Sequence, residues 1–219
     1  MSLKNDEILL KMAKTGMIPV FNHKDIDIAI KVLDASYKAG IRVFEFTNRE
    51  SNALEVFKNL KIYAEKYPDL ILGIGTIFTR EEARRFYFAE ADFIVSPALI
   101  PDVANYCNMK GRFWIPGCAT LTEVYQAKIL GATLIKAFPG NLLGPGFIKA
   151  VLSVLPNLKM MPTGGVEPNK ENLSIWFEAG VHCVGMGSQL FDKKAIERGD
   201  FKGLENNIKS TLNIIQELK

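Results

Sequence analysis

Histidine is nearly missing from this chain: its 219 residues hold two, His23 and His182. A Ser-His-Asp triad needs a histidine beside its nucleophile, and none is obviously placed for one. No His, Asp and Glu fall at metal-ligand spacing, so no metal site is expected. Cysteine is also sparse. Cys107, Cys118 and Cys183 are odd in number and widely spaced, which fits neither a disulfide framework nor a zinc site. Reduced thiols are expected. No apolar stretch approaches the length of a membrane span. The start of the chain is polar and charged, without the apolar core of a signal peptide. A cytoplasmic protein is therefore expected. The net charge is only +3 and no block of basic residues occurs, so neither nucleic acid nor an anionic membrane is expected as a partner.

What the chain does have is apolar content of 48%, ordinary for a globular protein, and a regular alternation of short apolar runs with amphipathic ones. Residues 1–16 read as a lead-in helix with Ile8, Leu9 and Met12 on one face. Met17–Phe21 reads as a strand, and Pro19 within it suits a strand start or bulge better than a central ladder. Further strands are expected at 41–46, 70–74, 91–95, 112–115, 132–137, 158–161 and 181–186. Helices are expected between them, at 25–39, 51–66, 100–109, 146–155 and 168–179, and a last one at 201–218. Thr79-Arg80-Glu81-Glu82 and Thr120-Leu121-Thr122-Glu123 are capping boxes that open two more. Strand and helix thus alternate about eight times with short connections, which gives a parallel sheet with covering helices. In this length the pattern implies a single (β/α)₈ barrel domain over residues 1–219, with an open doubly wound sheet as the alternative. No Gly-x-Gly-x-x-Gly turn follows the first strand, which speaks against the open sheet.

Active sites of such barrels lie at the C-terminal ends of the strands. The run Gly131–Pro139 ends there with one charge, Lys136, in an otherwise apolar strand. Burial disfavours the ammonium form, and a neutral lysine is the starting point of Schiff-base chemistry. A structural lysine snorkelling to water from a strand end is the other reading. Glu45 alternates with Phe44 and Phe46 and lies on the face of Val43. It is either a proton-transfer group with a raised pKa or the partner of a cation at the rim. Arg49 starts the following loop, where a guanidinium either holds a substrate carboxylate or faces solvent. Gly73-Ile74-Gly75-Thr76 allows close backbone approach and offers a hydroxyl. Ser96-Pro97 and Pro116-Gly117-Cys118 end two further strands. Pro162-Thr163-Gly164-Gly165 and Gly185-Met186-Gly187-Ser188 leave amide N–H groups uncovered at the last two strands. With a helix N-terminus following Ser188, they make an expected phosphate site that needs no lysine or arginine.

In their order these motifs, with Ile115-Pro116-Gly117 and Ile135-Lys136-Ala137-Phe138-Pro139, resemble the 2-keto-3-deoxy-6-phosphogluconate and 4-hydroxy-2-oxoglutarate aldolases, from Met17 to the C-terminal helix. The resemblance implies a class I aldolase on a (β/α)₈ barrel, a homotrimer without metal or organic cofactor. Its substrate would be a small phosphorylated keto acid, cleaved to pyruvate and glyceraldehyde 3-phosphate. Lys136 matches the Schiff-base lysine and Glu45 the general acid/base. Arg49 and Thr76 match the positions that hold the pyruvate end, and Pro97 and Phe138 those that line it. Thr163, Gly164, Gly165, Gly187 and Ser188 match the phosphate side. Many members carry an arginine at the end of strand one, where this chain has Phe21-Asn22-His23. Relatives acting on 2-keto-3-deoxy-6-phosphogalactonate share the lysine and the phosphate turns. A phosphosugar isomerase or epimerase using Glu45 as base would need no covalent lysine, nor would a non-catalytic phospholigand sensor.

Overall fold

Several helices begin where a side chain takes up the N–H groups that have no partner inside a first turn. Thr79 and Thr120 close full capping boxes with Glu82 and Glu123, and Asp25 and Asn169 cap two other helices. A computed structural model describes residues 5–219, an α/β fold in which every paired strand is parallel. The order is α1 (Asn5–Thr15), β1 (Met17–Phe21), α2 (Ile26–Ala39), β2 (Val43–Thr47), α3 (Ala53–Ala64), β3 (Ile71–Gly75), α4 (Arg80–Phe88), β4 (Phe93–Val95), α5 (Pro101–Met109) and β5 (Phe113–Ile115). Then follow β6 (Gly117–Cys118), α6 (Leu121–Ile129), β7 (Leu134–Ala137), α7 (Gly140–Val154), β8 (Lys159–Pro162), α8 (Lys170–Glu178), β9 (Val184–Met186), α9 (Lys193–Glu197) and α10 (Phe201–Glu217). Residues 1–4 of the expected lead-in helix lie outside the described residues. No described helix is long and apolar enough to cross a membrane.

The strands form two curled sheets, one ordered β5-β4-β3-β2-β1-β9 and the other β6-β7-β8. Pro116 alone separates β5 from β6, and its carbonyl accepts from Lys136 N–H at 2.8 Å. A bridge between Thr163 and Gly185 joins the far side of the second sheet to β9. The expected strand at 112–115 is therefore followed by a second short one, because a proline there offers no N–H to continue a ladder. Pro19 does sit in a central strand, contrary to expectation, with β2 on one side of β1 and β9 on the other. Pro19 pairs with Met186, and the register to β2 starts only at Val20 opposite Glu45, so its missing donor is tolerated. The helix expected from 146 starts earlier, at Gly140. A first turn precedes a break at Gly144, whose φ of 67° and ψ of 171° are not helical, and Pro145 restarts the helix.

Strand alternation sorts the side chains between two faces. Phe44, Phe46, Leu72, Ile94 and Ile135 face the helices in the main core. Val43, Ile71, Phe93, Leu134 and Met161 face the concave side, where Ile8, Leu9 and Met12 of α1 pack among them. That helix closes the N-terminal end of the curl. Two residues further along their strands, the same concave face carries Glu45, Lys136 and Thr163.

Candidate active site

Glu45 and Lys136 come from different sheets and meet. Lys136 Nζ lies 3.8 Å from Glu45 Oε1, an ion-pair contact too long for a hydrogen bond. Glu45 is 0% and Lys136 5% exposed. The carboxyl fits because β3 has no side chain where it lies: a Cβ at Gly75 would stand 1.8 Å from Oε1. Neither Glu45 oxygen takes a hydrogen bond among the described residues. Burial pushes the carboxyl above its ordinary pKa, opposed by the nearby charges of Lys136 and Arg49. Lys136 Nζ also stands 5.1 Å from the centre of the Phe138 ring. Lys136 does not snorkel to water: its side-chain nitrogen is buried and faces the Glu45 carboxyl.

A cavity of about 470 Å³ opens at the C-terminal edge of the strands; neither Glu45 nor Lys136 lines it, and Phe138, beside Lys136 Nζ, does. The cavity is walled by seven of the residues singled out above: Arg49, Phe138, Thr163, Gly164, Gly165, Gly187 and Ser188. Thr163 is buried, its Oγ1 has no partner among the described residues, and a Cβ at Gly185 would stand 2.3 Å from that oxygen. Gly164 and Gly165 have φ of 89° and 72°, the left-handed region that favours glycine. A Cβ at Gly140 would meet the Gly164 carbonyl at 2.4 Å, so the turns after β7 and β8 interlock. The N–H groups of Gly164, Gly165, Gly187 and Ser188 make no hydrogen bond among the described residues. Such free amides suit an anion. Thr76 and Pro97 lie outside the wall. Thr76 follows Gly75 directly with φ of 62°, and the Pro97 carbonyl would stand 2.2 Å from a Cβ on Gly117.

The expected helix N-terminus after Ser188 is not there. Residues 188–190 form a turn, α9 opens only at Lys193, and the Asp192 carboxylate accepts its Lys194 N–H. Asn22 and His23, noted in the sequence only as standing where many relatives carry an arginine, wall the cavity, as do Gln189 and Lys193, which the sequence did not single out. Lys193 Nζ stands 3.9 Å from Glu197 Oε1. The loop after β1 is tied to the Arg49 loop by Asn22 Nδ2 donating to Glu50 Oε1 at 3.4 Å. The only advance signal for Gln189 was its place just beyond a strand end, and Lys193 had none. Among the described residues, no three His, Cys, Asp or Glu side chains gather where a metal ion could be held.

The model of the KDPG and KHG aldolase family matches residues 8–207. A 2-dehydro-3-deoxy-phosphogluconate aldolase of Pseudoalteromonas atlantica is 34% identical over 84% of each chain. A 2-dehydro-3-deoxy-6-phosphogalactonate aldolase of Escherichia coli is 31% identical over 81% of this chain and 85% of its own. The solved KDPG aldolase of Legionella pneumophila, with pyruvate captured as a covalent carbinolamine, superposes with a TM-score of 0.84 at 26% identity over 93% of this chain and 97% of its own. Fold, site and relatives together define an α/β aldolase, a carbon–carbon lyase of class I. The chain belongs to the KDPG and KHG aldolase family.

Proposed function

We propose that the chain cleaves 2-keto-3-deoxy-6-phosphogluconate to pyruvate and glyceraldehyde 3-phosphate through a Schiff base on Lys136, and also accepts 4-hydroxy-2-oxoglutarate. The observation that carries this reading is the buried contact of 3.8 Å between Lys136 Nζ and Glu45 Oε1, next to Phe138, which walls the cavity of the glycine turns. The neutral amine attacks the C2 ketone. Glu45 moves protons as the carbinolamine loses water and becomes an iminium. It then takes the proton of the C4 hydroxyl, the C3–C4 bond breaks, and its electrons enter the iminium to give an enamine. Glyceraldehyde 3-phosphate leaves. The enamine is protonated at C3, and hydrolysis returns pyruvate and the free amine.

Arg49 and Thr76 hold the substrate carboxylate, and Pro97 and Phe138 flank the pyruvyl end. Gly164, Gly165, Gly187 and Ser188, with Thr163, receive the phosphate. Support for an eight-stranded barrel is the single-residue gap between β5 and β6 and the bridge from Thr163 to Gly185, which link the two sheets on both sides. Exposed Phe78, Leu121 and Tyr125 supply apolar surface for a homotrimer, and buried free cysteines suit the cytoplasm. Sedimentation at three times the monomer mass is the expected result for the trimer.

The test is incubation with pyruvate and borohydride, then intact mass and peptide mapping. A reduced pyruvate adduct on Lys136 is expected, and none on Lys136→Ala. A folded wild-type protein that takes up no adduct would leave an isomerase, an epimerase or a phospholigand sensor in its place. Side-by-side cleavage of the gluconate and galactonate epimers decides the C4 configuration.

A further inference from the structure

The buried hydroxyls of this protein fall into two kinds. Away from the site the serine and threonine hydroxyls with a recorded partner are satisfied nearby: Ser36 Oγ donates to the Val32 carbonyl at 2.7 Å, Thr211 Oγ1 to the Asn207 carbonyl at 2.8 Å, and Ser96 Oγ accepts from the Trp114 indole at 3.3 Å; the Tyr106 hydroxyl among the helices is the exception, buried and unpaired. On the concave face the threonine hydroxyls are not satisfied. Thr163 Oγ1 and Thr47 Oγ1 have no partner among the described residues, although Thr47 is 1% exposed. Buried hydroxyls are nearly always paired, so an unpaired one beside reacting groups points to a guest.

Thr47 stands two residues beyond Glu45 on β2, on the same face, about 6.6 Å along the strand. The carboxyl closes that gap. Glu45 is in register with Gly73, and Thr47 with Gly75. Yet Glu45 Oε1 occupies the place of a Gly75 Cβ, at 1.8 Å from it. The carboxyl has leaned one step towards the cavity, to the height of Thr47. Both of its oxygens are unpaired there, as is the hydroxyl.

We infer that Thr47 is a positioning residue for proton transfer, its hydroxyl and the Glu45 carboxyl together gripping the oxygen, of water or of a substrate hydroxyl, through which the protons pass. The inference rests on the Schiff-base reading above. When the carbinolamine loses water, a proton moves from the Glu45 carboxyl through the gripped oxygen to the departing hydroxyl. When the C4 hydroxyl is deprotonated, one returns to the Glu45 carboxylate. Thr47 keeps its own proton throughout. The charged groups that face Glu45 are Lys136 from β7 and Arg49 from the loop after β2. The residues of β1 and β3 in register with Glu45 and Thr47 are Val20, Gly73 and Gly75, which do not titrate.

The experiment compares wild type, Thr47→Val and Thr47→Ser in three assays: borohydride trapping with pyruvate, exchange of the pyruvate methyl hydrogens in D2O, and the pH profile of kcat. Thr47→Val is expected to keep the adduct and lose at least tenfold in exchange and in kcat. Its acidic limb should move to higher pH, because the gripped oxygen that donates to the carboxylate is no longer held in place. Thr47→Ser should restore both. A Val variant with wild-type exchange and an unmoved limb overturns the inference, as does a Ser variant impaired as much as Val, which means packing. If Thr47→Val does not fold, Thr47→Ala is read against Ser in the same assays. A wild-type protein without an adduct brings down the aldolase reading and this inference with it. An adduct with an indifferent Val variant brings down the inference alone.

Discussion

Gly75 acts by what it leaves out. Its Cβ would stand 1.8 Å from Glu45 Oε1, so Gly75→Ala must push the carboxyl away from Lys136. Turnover is expected to fall about 10²–10⁴-fold, the usual worth of positioned proton transfer, with the circular dichroism unchanged. Burial raises the Glu45 pKa, so the acidic limb of kcat should lie above the ordinary carboxylate range and vanish in Glu45→Gln. The same shift sets a stability trend. Folding favours the protonated carboxyl, so this contribution is full below the unfolded pKa and is lost as pH rises through the folded one. Lys193 walls the cavity whose glycine turns are proposed to take the phosphate. Lys193→Met is expected to raise KM for a phosphorylated substrate several-fold at low salt, with less effect at high salt and little change in kcat. Lys136 and Glu45 were legible in the sequence because a charge inside an apolar strand stands out. Thr47 was not, since threonine is an ordinary strand residue and only its missing partner marks it. Lys193 was not, because nothing in a loop sequence says which way the chain turns after Ser188.

Among the elements, the helix starts were read most directly, because a capping box is written in consecutive residues. Thr120→Ala removes the α6 cap and is expected to cost about 1 kcal/mol. In a chain of this size that is a fall in Tm of about 2–4 °C by calorimetry. The breaks within elements were read least well. Pro116 dividing β5 from β6, and the early turn of α7 at Gly140, depend on contacts with β7 and β8 that lie far off in sequence. Asp34 of α2, paired locally with Lys38, also binds a stretch that no local pattern joins to it: Tyr63, Lys66 and Tyr67 reach its carboxylate. Although partial burial works the other way, these four hold its pKa well below the usual carboxylate range. A lowered carboxylate stabilises the fold above its unfolded pKa, about 3.9, and the gain is lost as pH falls through the folded value. The urea midpoint of wild type should therefore drop between pH 5 and pH 3 more than that of Asp34→Asn.

For the molecule as a whole, the alternation of strands and helices was plain from periodicity, and the parallel curl followed from it. How the strands divide into two sheets was not, because that turns on the single residue Pro116. The three cysteines, read in advance as reduced, are free and buried, and burial pushes each thiol up to about 12. The native protein is expected to leave Ellman's reagent colourless over minutes, and the urea-unfolded protein to give three thiols. Among the described residues, the concave side of the sheet is stoppered at its N-terminal end by Ile8, Leu9 and Met12 of α1, and a cavity opens at the other end beside the glycine turns after β8 and β9. If the proposed Schiff base forms, a sugar acid tethered to Lys136 points its phosphorylated tail at that opening. After cleavage the aldehyde stands between the tethered half and the outside, so the two products leave as a queue, aldehyde first and pyruvate last. In the synthetic direction the order reverses: pyruvate must be seated before the aldehyde arrives, and an aldehyde that enters early blocks the doorway it needs.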